Sequence, residues 1–192
     1  MIEGGEGALA PERARFNRVV VAAVDGFATG LARHWLAVWN TTLGVLVGGT
    51  LAGPAAEAAG QSRLADAIYG AYQHLCHQLP YRSSYVFGHK LCVCDRCLAI
   101  YAGLLLAGIA FALVRHRLRS LSLGLFALAC VPMGWDGVTQ LFGYRESDTT
   151  LRVLTGLLFG IAVAWMSYPI LEKSWRRSLD QMTRPERADR VD

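Results

Sequence analysis

The chain is predicted to be an all-α integral membrane protein. We read a four-helix transmembrane bundle with an N-terminal interfacial helix, and a short helix plus a cysteine-rich loop on the outer face. Three observations predict this. Of 192 residues, 53% are hydrophobic, and they gather into nearly uncharged runs of about 17–22 residues, the length that crosses ~30 Å of hydrocarbon at ~1.5 Å per residue. Glycines recur at four-residue spacing inside those runs, as in seams where helices pack closely. The 19 Lys and Arg residues are split unevenly between the segments joining the runs. The net charge of +4 comes without a basic run interleaved with aromatics, which excludes a nucleic-acid partner.

The elements follow in order. Residues 1–34 form a Gly-rich acidic tail and an amphipathic helix, with Val20, Val24, Phe27 and Leu31 at helical spacing. The first span covers 35–56, with Trp35 and Trp39 at one interface and Pro54 with Glu57 at the other. Its small-residue seams are Gly44-x-x-x-Gly48 and Gly49-x-x-x-Gly53. This run followed by Ala56-Glu57-Ala58 mimics a signal peptide, but the segment before it is long and acidic, so an uncleaved helix is expected. Residues 59–93 form the outer Cys/His loop, with a helical stripe of Leu64, Ile68, Tyr72, Leu75 and Leu79 ending at Pro80. Further spans follow at 94–114, 121–142 and 151–170, and 171–192 is a charged tail. Thirteen Lys and Arg lie in the N-terminal segment, the 115–119 turn and the tail, against six on the other side. By the positive-inside rule this predicts a multi-pass cell-membrane protein with both termini cytoplasmic.

The chemistry gathers between Tyr72 and Gly103, where four of five cysteines lie. Cys94-Asp95-Arg96-Cys97 is a C-x-x-C at a helix start, where free N–H groups favour thiolate. Three readings follow. The first is a metal site, zinc, held by Cys76, Cys94, Cys97 and one of Cys92 or His77, since C-x-x-C spacing suits tetrahedral coordination. The second is a quinone-linked thiol–disulfide oxidoreductase using Cys94–Cys97 with relay to Cys76 and Cys92, an analogy of layout alone. The third is structural disulfides on an oxidising outer face. Covalent c-type haem is excluded, because Leu98 follows the C-x-x-C where His is required.

Asp136 is an acid inside a spanning segment, a costly placement that calls for a partner. Gln140 shares its helix face, and Arg96, Arg145 and Arg152 fall at the same membrane level. These five residues are expected either to form an Asp–Arg pair that staples the third and fourth spans together or to line a polar pocket for a head group, quinone or proton.

Cys76-His77-Gln78, Arg82-Ser83, Gly88, and Cys94-x-Arg96-Cys97-x-x-Ile100-Tyr101-x-Gly103 resemble an uncharacterised family of small membrane proteins, domain of unknown function 2085. Pro132, Asp136-Gly137-x-Thr139-Gln140, Gly143-x-Arg145-x-Ser147 and Leu151-Arg152-x-x-Thr155-Gly156 carry the same resemblance, which covers about residues 70–165. It implies a membrane protein with a Cys/His/Asp/Arg outer cluster and no established activity. Cys92 falls outside the family pattern, which raises His77 as fourth ligand. With no activated nucleophile or acid–base pair in view, the expectation is a non-catalytic accessory component. It would sit in the lipid bilayer among other subunits of a membrane complex.

Overall fold

The computed structural model describes residues 11–115 and 117–183. The expected tail at 1–10 and the end of the charged tail at 184–192 lie outside the described residues. The described residues form six α-helices: α1 (Pro11–Gly49), α2 (Ala52–Ala58), α3 (Ser62–Gln73), α4 (Asp95–Val114), α5 (Leu123–Leu141) and α6 (Thr149–Thr183). A 3-10 turn (Pro80–Arg82) and a two-residue-strand hairpin, β1 (Tyr85–Val86) with β2 (His89–Lys90), lie between α3 and α4. The chain is an all-α membrane bundle. The stretches Arg15–Ala58, Asp95–Val114 and Thr149–Gln181 are long and apolar enough to cross a membrane.

The chain divides into two units. One is the first part of α1, up to Trp35, with α6 from Ser174 onward; the other is Leu36–Lys173. In the first unit the expected apolar stripe of Val20, Val24, Phe27 and Leu31 is exposed, whereas Ala32 and Trp35 are buried. The expected boundary between an interfacial helix and a first span at 34–35 is absent. With no Pro or Gly at that point, α1 runs through it for 39 residues. All that follows concerns the second unit.

Helix α1 ends at Thr50, whose side chain and N–H both turn back on the Val47 carbonyl, at 2.7 and 3.3 Å. Pro54, four residues on, has no N–H to give the Thr50 carbonyl. That carbonyl accepts the N–H of Cys92 instead, at 3.4 Å. The expected span 35–56 is thus broken into α1 and α2, and the outer loop is pinned at the break. Trp39, expected as an interface anchor, donates its indole N–H to the Tyr168 hydroxyl at 2.8 Å, and Tyr168 donates to the Leu104 carbonyl. A chain of hydrogen bonds therefore joins α1, α6 and α4.

Helix α3 ends at Gln73, seven residues before Pro80. The expected stripe is therefore too long, and Leu75 and Leu79 lie beyond the helix. The hairpin turn is Phe87-Gly88, both with positive φ (56° and 80°), the conformation that suits a two-residue hairpin loop. Helices α4 and α6 touch backbone to backbone. A Cβ on Gly156 would lie 2.7 Å from the Arg96 carbonyl, and one on Gly103 would lie 2.8 Å from that of Leu157. The α1 seam behaves differently: Gly44 and Gly48 have nothing within 4 Å, while Gly49 meets Tyr72 and Gly53 meets Cys92.

Helix α5 falls outside the stretches that length and composition qualify as spans, because its last turns carry Asp136, Thr139 and Gln140. Its ends are nevertheless tied to both neighbours. Just before it, Ser120 donates to the Met166 carbonyl of α6 at 3.0 Å. Near its end, Asp136 pairs with Arg96 in the first turn of α4. Gly143 (φ 72°) closes α5: its N–H reaches the Gln140 carbonyl and the Tyr144 N–H reaches that of Thr139, a left-handed cap that reverses the chain.

Candidate metal centre and its polar neighbour

The first turn of α4 points successive side chains at different partners. Asp95 accepts the Ser84 N–H at 2.8 Å and the Thr149 hydroxyl at 3.1 Å, tying the loop to the start of α6. Arg96 reaches Asp136. Cys94 and Cys97, one turn apart, face Cys76, and the three Sγ atoms all lie within 4.8 Å of one another. All five cysteines are free thiols, so the structural-disulfide arrangement is not the one present.

Cys76 is the electrostatic centre of this trio. Its Sγ accepts the N–H of Cys94 at 3.2 Å and of Gln78 at 3.4 Å. Hydrogen bonds from the Cys94 and Cys97 thiols, then those backbone N–H groups, hold its pKa well below the ordinary thiol value despite burial. Gln78, next along, has a left-handed backbone (φ 53°) that costs a non-glycine residue about 1–2 kcal/mol. It is held there from several sides. Its amide donates to the Tyr69 carbonyl at 2.7 Å, and its own carbonyl accepts from Lys90 at 3.1 Å. The three thiols open onto a cavity of ≈ 140 Å³ whose wall also carries His77, Gln78 and Arg82.

Neither candidate for a fourth ligand joins the three sulfurs. Cys92 is fully buried and faces Gly53: a Cβ there would lie 2.5 Å from its Sγ. Burial pushes its thiol pKa up. Its sequence proximity to Cys94 misleads, because the Cys92 N–H is committed to the α1–α2 break and turns the side chain that way. His77 lines the cavity as an exposed residue, outside the group of three.

Asp136 is 1% exposed and stands at the centre of the second cluster. One oxygen accepts from Arg145 at 2.7 Å and from Ser147; the other accepts from Arg96 and from Gln140 at 3.1 Å. A carboxylate offers about four lone-pair sites, and all are used. Of the five residues expected here, Arg96, Asp136, Gln140 and Arg145 come together, joining α4, α5 and the turn after α5. Arg152 does not join them. It is buried, and donates to the Tyr81 carbonyl at 3.2 Å.

Gln78, Arg82, Asp95 and Ser147 also stand in or beside the two clusters, and all but Asp95 are among the residues that carry the family resemblance. Asp95 was legible in principle, because an acid at the first position of a helix is placed to accept N–H groups.

An uncharacterized protein of Methanocaldococcus jannaschii is 40% identical over 105 residues, 54% of this chain and 67% of that protein. An uncharacterized protein of Methanothermobacter thermautotrophicus is 38% identical over 93 residues, 48% of this chain and 84% of that one. No solved structure matches the chain. The family described as predicted membrane protein (DUF2085) matches residues 76–166, the window that holds the three clustered thiols and the whole Asp136 network. With a relative at that identity and coverage, this chain belongs to the DUF2085 family of predicted membrane proteins.

Proposed function

We propose that the protein is a membrane-embedded metal–thiolate protein in which Cys76, Cys94 and Cys97 hold zinc. One observation carries the reading: three sulfurs within 4.8 Å of one another, one of them accepting two backbone N–H bonds. Such bonds stabilise the thiolate that a metal requires. A C-x-x-C with one distant cysteine is an ordinary ligand pattern for tetrahedral zinc, a metal that thiolate ligands favour. The thiol-oxidase reading has less support, because Cys92, one of its two relay cysteines, is buried against Gly53. Zinc analysis of the purified chain tests the proposal. About one zinc per chain is expected, with Cys76, Cys94 and Cys97 protected from alkylation. Negligible zinc with those thiols freely alkylated would overturn it.

In this reading the metal holds the outer loop on the bundle, and the protein serves as an accessory component of a larger membrane assembly. The unpartnered Gly44 and Gly48 of α1 support that role as a face on which a further helix packs. Helix α5 crosses with its neighbours, giving four spans and cytoplasmic termini. Its ties to α6 at one end and α4 at the other, and the excess of Lys and Arg on one side, support this.

A further inference from the structure

The three thiols do not complete a tetrahedral shell. Among the described residues no fourth His, Cys, Asp or Glu joins Cys76, Cys94 and Cys97. All three instead face one cavity of ≈ 140 Å³, far above the ~10–15 Å³ that a single water needs. Closed structural zinc sites take four protein ligands, whereas sites that handle an exogenous ligand take three and keep a position open.

Charge says what kind of ligand suits this one. Three thiolates around a divalent metal carry one net negative charge, and a monovalent anion in the fourth position makes it two. One cation stands on the cavity wall, and a second shares its neighbour Tyr81. Arg82 lines the cavity, and its Nε is buried without a hydrogen-bond partner. Arg152 is 4% exposed, and its Nε is likewise without a partner. Neither makes a salt bridge among the described residues. Both engage Tyr81: the Arg82 guanidinium lies 5.1 Å from the ring centroid, and Arg152 bonds the carbonyl. The buried, unused Nε of each is costly unless an anion meets it.

We propose that the fourth metal position is exchangeable and takes a small anionic ligand from the cavity, oriented by Arg82. This rests on the metal reading above. The site then belongs to the class that binds or transforms a small anion or thiolate, with the fixed trio holding the metal and Arg82 as the selecting cation.

The test uses the full chain in detergent, loaded with one Co(II) per chain, and follows the ligand-field bands while sodium azide is added. Azide is expected to shift the bands saturably, at one azide per cobalt. Arg82→Gln is expected to weaken azide about tenfold or more, the loss of one charge-assisted hydrogen bond, while imidazole, a neutral donor, binds both proteins alike. Arg82→Met serves in its place if Arg82→Gln does not load cobalt. Wild-type bands unmoved by azide and imidazole, with azide acting only after His77→Ala, would mean that His77 closes the shell. That overturns the open position and leaves the metal reading standing. Equal azide affinity with and without Arg82 overturns its selecting role. A wild-type chain that shows no thiolate-to-cobalt charge-transfer band overturns the metal reading and this inference together.

Discussion

The first turn of α4 feeds two clusters that differ in kind. Arg96 enters the Asp136 network, where four donors meet the lone pairs of one carboxylate. Cys94 and Cys97 enter a trio of sulfurs that opens onto a cavity and holds donor capacity the protein does not itself use. The difference separates a staple from a site. A buried charge with every hydrogen bond made by the chain has nothing left to offer a ligand, however unusual an acid is in so apolar a helix. Three soft donors converging on one point, beside an arginine whose Nε donor is unused, are arranged for something that comes from outside.

The largest effect expected is on the staple. Asp136→Ala leaves Arg96 and Arg145 facing each other without a counter-charge, and should destabilise the fold by about 3–5 kcal/mol, read as a lowered unfolding midpoint in detergent. If the midpoint moved by no more than a surface change, the network would not be holding the helices.

Next is the trio. Cys94→Ser or Cys97→Ser should lower zinc affinity by more than about a hundredfold, beyond the range typical of changes outside the ligand set, measured by chelator competition. The pKa of Cys76 is held below the ordinary thiol value, so the other two thiols supply more of the protons that a metal displaces. Metal binding at neutral pH should therefore release fewer than three protons, and zinc should be lost as pH falls. Calorimetry in buffers of different ionisation enthalpy counts them.

A packing change separates the two clusters less cleanly. Gly156→Val drives side-chain atoms onto the Arg96 carbonyl and Ala99, and should cost about 1–3 kcal/mol. It should also weaken zinc binding, because both clusters hang on the same turn. Gly44→Val, with nothing within 4 Å, is the matching control for the isolated chain. Smallest of all, Cys92→Ala should leave zinc stoichiometry unchanged and cost about 1 kcal/mol or a little more through a small cavity. A loss of zinc would place Cys92 among the ligands after all.

Much of this was legible before any coordinates. Apolar runs gave the helices, because burial in lipid demands length and forbids charge. The spacing Cys94-x-x-Cys97 put two sulfurs on one face of one turn. Asp136 and Gln140 shared a face by the same periodicity. Less legible was which helix Asp136 would staple, since it pairs with α4 as well as with the turn after α5. The missing break at 34–35 and the early end of α3 at Gln73 show how weak local signals are where side-chain packing decides continuity.

What the sequence alone determined is what depends on neighbours along the chain: helical runs, the C-x-x-C turn, family membership. Which cysteine joins the trio was decided by tertiary structure. Cys76 is eighteen residues from Cys94 yet lies against its N–H, whereas Cys92 is two residues away and faces Gly53. The reason is a hydrogen bond no spacing rule contains. Pro54 leaves the Thr50 carbonyl without its helical donor, and the Cys92 N–H takes that place.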